Sequence, residues 1–247
     1  MIPLSVLEKQ VGKQWVIFSD FDGTITDRDA IVMTLERFAP PEWKDIARRI
    51  LKERTLPVQE GIQQLYALMP SALKEDIIRF VIEEVALREG FADFMAWRKE
   101  AGIPFQVVSG GLDAFITPVM APFEGDYTLF ANTAHFEEAS IVVGMPYAPK
   151  DCVVCGTCAC CKVEILNQWE DASTFKIAIG DSVTDFGMAR VADWVFARDA
   201  LAEELDREGR TFTPFETFQD IQESLDKLRQ DAFILNYMTK DTDTNYS

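Results

Sequence analysis

Four short apolar runs, "WVIF" at 15–18, "PFQVV" at 104–108, "FKIAI" at 175–179 and "WVFA" at 194–197, are separated by long stretches of helical periodicity. Continuous β-branched and aromatic runs of this length suit strands buried on both faces, and intervening helices supply the crossovers that parallel strands need. The pattern therefore predicts an α/β fold with a mostly parallel sheet flanked by helices. The first three runs break into "SDFDGT", "SGG" and "GDSVTD". In an open parallel sheet the carboxyl ends of the strands gather at one edge, where ligands bind near the point at which strand order reverses. The functional site is expected there.

Between Asp27 and Arg88 the texture changes to amphipathic stretches such as "GIQQLYALM" and "EDIIRFVIEEVAL", punctuated by Pro40, Pro41, Pro57 and Pro70. This segment reads as a helical insert, giving a core of residues 1–26 and 89–247 and a helical cap of residues 27–88. It holds 10 Lys and Arg against 11 Asp and Glu, so the rest of the chain carries nearly all of the net charge of −17. That charge argues against nucleic acid or an anionic membrane as partner. No apolar run approaches a membrane span and "MIPLSVLEKQ" lacks the pattern of a secretory signal, so a cytoplasmic protein is expected. The run "YTLFANTAHFEEASIVVGMPY" reads as a hairpin and "TKDTDTNYS" as a frayed tail.

In "DFDGT" two acids, Asp20 and Asp22, stand two residues apart at a strand end, beside a glycine. Both can reach one site if the chain leaves regular pleating there, and Gly23 supplies the freedom to turn. Crowded carboxylates repel, which calls for a shared proton or a cation. Mg²⁺ takes oxygen ligands and commonly combines one or two carboxylates with substrate phosphate and water. Asp181 in "IAIGDSVTD" offers a third carboxylate at a neighbouring strand end.

Taken in order, "DFDGT", "VVSGG", Lys162 and "GDSVTD" resemble the four motifs of haloacid dehalogenase-like phosphatases. The resemblance implies a Rossmann-like core with the cap inserted after the first motif, and a Mg²⁺-dependent phosphoric monoester hydrolase with an aspartate nucleophile. It casts Asp20 as that nucleophile and Asp22 as the general acid and base. Ser109, Gly110, Gly111 and Lys162 would bind the phosphoryl group. The Asp20 carboxylate, the Asp22 carbonyl and Asp181 would hold Mg²⁺, and Asp185 would orient Lys162 or a metal-bound water. Ser109 can also be read as an N-cap for "GLDAFITPVM" and Thr24 as a turn cap or phosphate contact.

A closer likeness, carried by "FAPPEW", "SALKEDI", "REGF", "IPFQVVSGG", "GDSVTD" and "CGTCACCK", is to the methionine-salvage branch of that family. It implies a small phosphorylated metabolite, 2-hydroxy-3-keto-5-methylthiopentenyl-1-phosphate, as substrate. The substrate's thioether would want an apolar wall, for which Met33, Phe38, Trp43 and Leu65 are candidates. A phosphoserine-type phosphatase is the alternative, with Arg28, Arg48, Arg49 and Arg54 as candidates to meet a carboxylate. A phosphate- or metal-binding regulator on the same fold is the non-enzymatic one, although a binding module has little need of both nucleophile and acid. Oligomeric state is left open.

All five cysteines, Cys152, Cys155, Cys158, Cys160 and Cys161, fall within "DCVVCGTCACCK". Their spacing suits a thiolate metal site, with structural Zn²⁺ as one occupant, although ten residues leave little room to wrap four sulfurs around one ion. Reduced thiols shaping the loop before Lys162 are the preferred reading. His135 is the sole histidine and falls in the predicted hairpin, away from the motifs.

Overall fold

A computed structural model describes residues 4–243 apart from 138, 151, 153 and 155–157, with side chains also left aside at 5 and 232–243. A short helix α1 (Leu4–Gln10) leads into β1 (Gln14–Ser19). Helices α2 (Ala30–Phe38), α3 (Trp43–Leu51), α4 (Val58–Ala67), α5 (Lys74–Glu84) and α6 (Phe91–Glu100) follow. Next come β2 (Phe105–Leu112), α7 (Asp113–Met120), β3 (Thr128–Phe136) and β4 (Ile141–Gly144). The chain continues through α8 (Lys162–Asn167), β5 (Thr174–Gly180), α9 (Phe186–Val191), β6 (Trp194–Ala197), α10 (Asp199–Arg207), β7 (Thr213–Pro214) and α11 (Phe218–Asp243).

The seven strands form one sheet in the order β4-β3-β2-β1-β5-β6-β7, parallel except for the β3–β4 pair. From β1 the chain builds β2 and β3 on one side and later returns to build β5 and β6 on the other. The order thus reverses at β1. Ser19 pairs with Val107 of β2 and with Ile179 of β5, so the chain leaves β1, β2 and β5 at the same edge. The expected hairpin is β3–β4, with Phe136 opposite Ile141.

Strand β1 is central because everything on it from Trp15 to Ser19 is buried. One apolar cluster joins β1 and β5 to Met33, Leu65, Ile77 and Val81 of the inserted helices. Met33 and Leu65 are therefore core residues. Phe38 packs edge-on against Phe80, and Trp43 lies partly buried against the same cluster. The segment between α4 and α5 also meets the hairpin: the Ile141 amide donates to the Met69 carbonyl, and Pro70 bridges to Ser140.

Residues 244–247 of the expected tail lie outside the described residues, and 239–243 continue α11, which runs to Asp243. Its start is capped reciprocally. Asp220 accepts from the amides of Glu216 (3.0 Å) and Thr217 (2.8 Å), while the Asp220 amide donates to Thr217 Oγ1 at 3.3 Å. Those backbone donors, chiefly Thr217 and then Glu216, hold the Asp220 carboxyl below its usual pKa. A carboxylate depressed in the folded state adds stability above its unfolded pKa, and loses it as pH falls through the folded value. Replacing Asp220 with Ala should lower the unfolding free energy by about 1 kcal/mol at neutral pH, with little difference left in strong acid. A shifted urea midpoint at unchanged slope would register it.

Candidate active site

The site is assembled at the edge where β1, β2 and β5 end. Asp20 leaves β1 with its amide bonded to the Ile179 carbonyl at 2.9 Å, which seats it beside the end of β5. The chain then turns through Phe21–Ile25, with Gly23 at φ +78°. A Cβ on Gly23 would stand 2.5 Å from Asp181 Oδ2, so both the backbone conformation and the approach of Asp181 require glycine here. Gly23→Ala should cost about 1 kcal/mol of stability. By displacing Asp181 it should also lower turnover at this site on the order of 10²-fold, read from kcat/KM and a denaturation midpoint on the same preparation.

This turn separates the two acids. One Asp20 oxygen accepts directly from Lys162 Nζ, which also donates to Asp185 Oδ1 at 2.5 Å. Asp22 faces the other way: its Oδ1 accepts from the Ala30 amide at 2.8 Å. A Cβ built on Gly111 would lie 3.0 Å from Asp22 Oδ2 and 3.1 Å from Ser109 Oγ, which places the second carboxylate by the end of β2.

Ser109 is buried, and its Oγ accepts from the Gly111 amide at 2.9 Å. The Gly111 donor is thus engaged within its own motif, a difference from the expectation that it faces a phosphoryl group. Ser109 is not the cap of α7 either. Asp113 lies at that helix start, taking the amides of Ala114 (2.7 Å) and Ala134 (2.9 Å).

Oxygens of Asp20, Asp181 and Asp185 lie within 4.8 Å of one another. With Lys162 they form a buried or half-buried group of three acids and one base. If all are ionised, the formal charge is −2, which a divalent cation would balance. The donors are hard oxygens of the kind Mg²⁺ takes, so these residues could hold such an ion. Asp185 is the most committed of the three, because Oδ2 also accepts from the amides of Asp181 (3.1 Å) and Ser182 (3.0 Å). Asp181 is steadied by Thr24, whose hydroxyl donates to Oδ1 at 2.8 Å.

The titration behaviour follows from this crowding. Burial, then repulsion from Asp185, pushes Asp20 up, while Lys162 pulls it down. Burial followed by repulsion from Asp29 raises Asp22 well above the carboxylate range. Burial and Asp185 bring Asp181 to about 6. Burial pulls Lys162 down, but Asp185 and Asp20 outweigh it and hold the ammonium charged.

Several residues escape a reading by motif. Arg88 clamps the first loop, donating from Nε to the Thr24 carbonyl (2.7 Å) and from an Nη to the carbonyls of Gly23 and Thr26 (3.1 Å). Its place in "REGF" was a sequence signal, but its role was not. Asn132 on β3 holds the Gly110 carbonyl at 2.8 Å. Tyr66 on α4 is fully buried with no hydrogen-bond partner for its hydroxyl among the described residues. Among the arginine candidates, Arg48 pairs with Asp45 and Glu53 at the surface, and Arg28 and Arg54 are exposed. His135 shares a hydrogen bond of 3.1 Å with Thr133 in the hairpin.

Among the described residues the cysteines do not converge as a set. Cys155 lies outside the described residues. Cys160 is buried against Val16 and Phe18 and donates to the Phe130 carbonyl at 3.8 Å, which removes it from a shared metal site. Burial raises its thiol to about 12, further from a ligating thiolate. Cys152 and Cys161 do approach each other, together with Glu164.

A family model described as haloacid dehalogenase-like hydrolase matches residues 17–190. The chain is 39% identical over 223 residues to a 2-hydroxy-3-keto-5-methylthiopentenyl-1-phosphate phosphatase of Brevibacillus brevis, covering 90% of this chain and 100% of that protein. To the protein of the same name in Geobacillus thermodenitrificans it is 41% identical over 216 residues, covering 87% and 97%. In fold it is similar to a phosphoserine phosphatase solved as a phospho-aspartyl intermediate analogue, with TM-score 0.63, 22% identity and coverage of 86% and 99%. A probable phosphoserine phosphatase from Vibrio cholerae gives TM-score 0.64 at 18% identity, covering 91% and 69%.

Proposed function

The chain belongs to the haloacid dehalogenase-like hydrolase family, and from that premise we propose that it is a Mg²⁺-dependent phosphatase acting on 2-hydroxy-3-keto-5-methylthiopentenyl-1-phosphate through an Asp20 nucleophile. The observation that carries the reaction is the separation of its two acids: Asp20 bonded to Lys162, Asp22 turned to the Ala30 amide and Gly111. The substrate assignment rests on the two methylthiopentenyl-phosphate phosphatases, which the chain matches over nearly their whole length. Residues 27–88 serve as the cap in this reading and residues 1–26 and 89–247 as the core.

An oxygen of Asp20 attacks phosphorus, the bond from phosphorus to the ester oxygen breaks, and an aspartyl-phosphate forms. Asp22, whose protonated form is favoured by burial and then by Asp29, gives its proton to the departing oxygen. The resulting Asp22 carboxylate then takes a proton from a water that attacks phosphorus, freeing inorganic phosphate and restoring both acids. Lys162 stays charged between Asp20 and Asp185, favours the Asp20 carboxylate against the burial and the Asp185 charge that raise it, and stabilises negative charge on the phosphoryl oxygens. Ser109 donates to the same oxygens. A divalent cation held by Asp20 and Asp181, with Asp185 behind them, would neutralise phosphoryl charge and polarise the reacting group. Arg88 and Asn132 act indirectly, fixing the backbone of the first loop and of Gly110.

The test is a phosphate-release assay on the methylthiopentenyl phosphate beside phosphoserine, with and without Mg²⁺. Release should require Mg²⁺, with kcat/KM at least roughly tenfold higher for the methylthio substrate. Preference for phosphoserine would assign the chain to the activity of its structural neighbours instead.

A further inference from the structure

The cysteine loop contains a cluster that phosphoryl transfer does not use. Sγ of Cys152, Sγ of Cys161 and a carboxylate oxygen of Glu164 lie within 4.8 Å of one another, with Cys161 buried and the other two half-buried. We infer that these three side chains bind a structural Zn²⁺, distinct from the cation of the aspartate site and independent of the substrate assignment above.

The donor set selects the metal. Two thiolates and one carboxylate fall short of the four sulfurs of an iron–sulfur cluster, and Mg²⁺ and Ca²⁺ shun sulfur. Zn²⁺ takes thiolate, imidazole and carboxylate in a tetrahedron. With Zn–S bonds of about 2.3 Å, its ligand atoms stand roughly 3.7 Å apart, so drawing these three onto one ion asks each to move by less than about 1 Å. Water would complete the tetrahedron.

Two ligands already have oriented partners of the kind metal sites use. The Lys150 amide donates to both Glu164 oxygens, at 3.1 and 3.3 Å. The Glu164 amide donates to Cys161 Sγ at 3.4 Å, which orients the sulfur. Glu164 lies outside the cysteine motif, three residues beyond Cys161, and only the turn of α8 brings it in.

The location gives the ion a purpose. Cys161 precedes Lys162 in the chain, and the Cys158 carbonyl accepts from Gln59 Nε2 of α4 at 3.2 Å. The loop therefore touches the first turn of α8 and an inserted helix at once. Zn²⁺ binding would fix it there, setting the position of Lys162 and the contact with α4.

The experiment measures Zn²⁺ retained by the full chain after dialysis against excess Mg²⁺, together with the spectrum after replacement by Co²⁺. An Asp181→Asn background removes binding at the aspartate site from the count. About one Zn²⁺ per chain and a thiolate-to-cobalt charge-transfer band are expected, both falling to below about one tenth in a Cys152→Ser/Cys161→Ser variant. Glu164→Gln should keep the band but weaken Zn²⁺ binding by on the order of tenfold or more. Zn²⁺ retained equally by the double variant, no charge-transfer band in the parent, or a Cys152–Cys161 disulfide in protein isolated with thiols blocked would each overturn the inference. If the double variant does not fold, the band in the parent decides.

Discussion

Asp20→Asn should abolish Mg²⁺-dependent phosphate release, lowering kcat by about 10⁴-fold or more while the chain stays folded. An amide cannot form the acyl phosphate, so the two-step path is lost outright rather than slowed. The buried base keeps Asp185 as a partner, and the oxygen of the introduced amide can still accept from Lys162, so the denaturation midpoint should move far less than the rate. A variant retaining a tenth of parent activity would mean that water attacks phosphorus directly and Asp20 only positions it.

Lys162→Met should damage folding and catalysis together. The lysine is 6% exposed and donates to two acids, one fully buried and one nearly so. Removing it leaves uncompensated carboxylates in the interior, which costs about 3–5 kcal/mol. Adding Asp185→Asn should return part of that stability by removing one stranded charge, without returning activity. The cycle of two single variants and the double, read by denaturant unfolding, separates charge compensation from lost packing. Equal stability of the parent and Lys162→Met would show that the three acids tolerate one another without the lysine.

The strands were legible because buried parallel strands announce themselves as continuous apolar runs. "FKIAI" and "WVFA" became β5 and β6 within a residue or two, and the hairpin was readable from its two β-rich halves. The convergence of Asp20, Asp22, Ser109 and Asp181 was legible for a different reason: short motifs at strand ends are carried to one edge by the parallel topology itself, whereas Lys162, at the start of α8, was placed only by the family resemblance. What a sequence cannot display is which distant groups hold those motifs. Arg88 meets Gly23 and Thr24 because the chain re-enters the core beside its exit point, with Thr26 bridged to Leu87. Asn132 reaches Gly110 only through the β2–β3 register.

Apolar residues of the inserted helices show the same limit. Met33 and Leu65 carry helical periodicity that suits a ligand wall or a core equally, and packing against the sheet decides for the core. Among the cysteines, spacing suited a thiolate metal site, although reduced thiols shaping the loop before Lys162 were the preferred reading. The backbone instead turns Cys160 inward under Phe130 and Cys161 toward Glu164, because consecutive residues at a helix start point to different sides.

The central claim is that phosphorus is transferred to Asp20, and acid-quenched phosphopeptide mapping during turnover tests it most directly. With the methylthiopentenyl phosphate and Mg²⁺, label should appear on the peptide spanning Asp20, at that residue, and should decay at the rate of phosphate release. Label on another residue, or rapid turnover with no labelled protein at any quench time, would contradict the account.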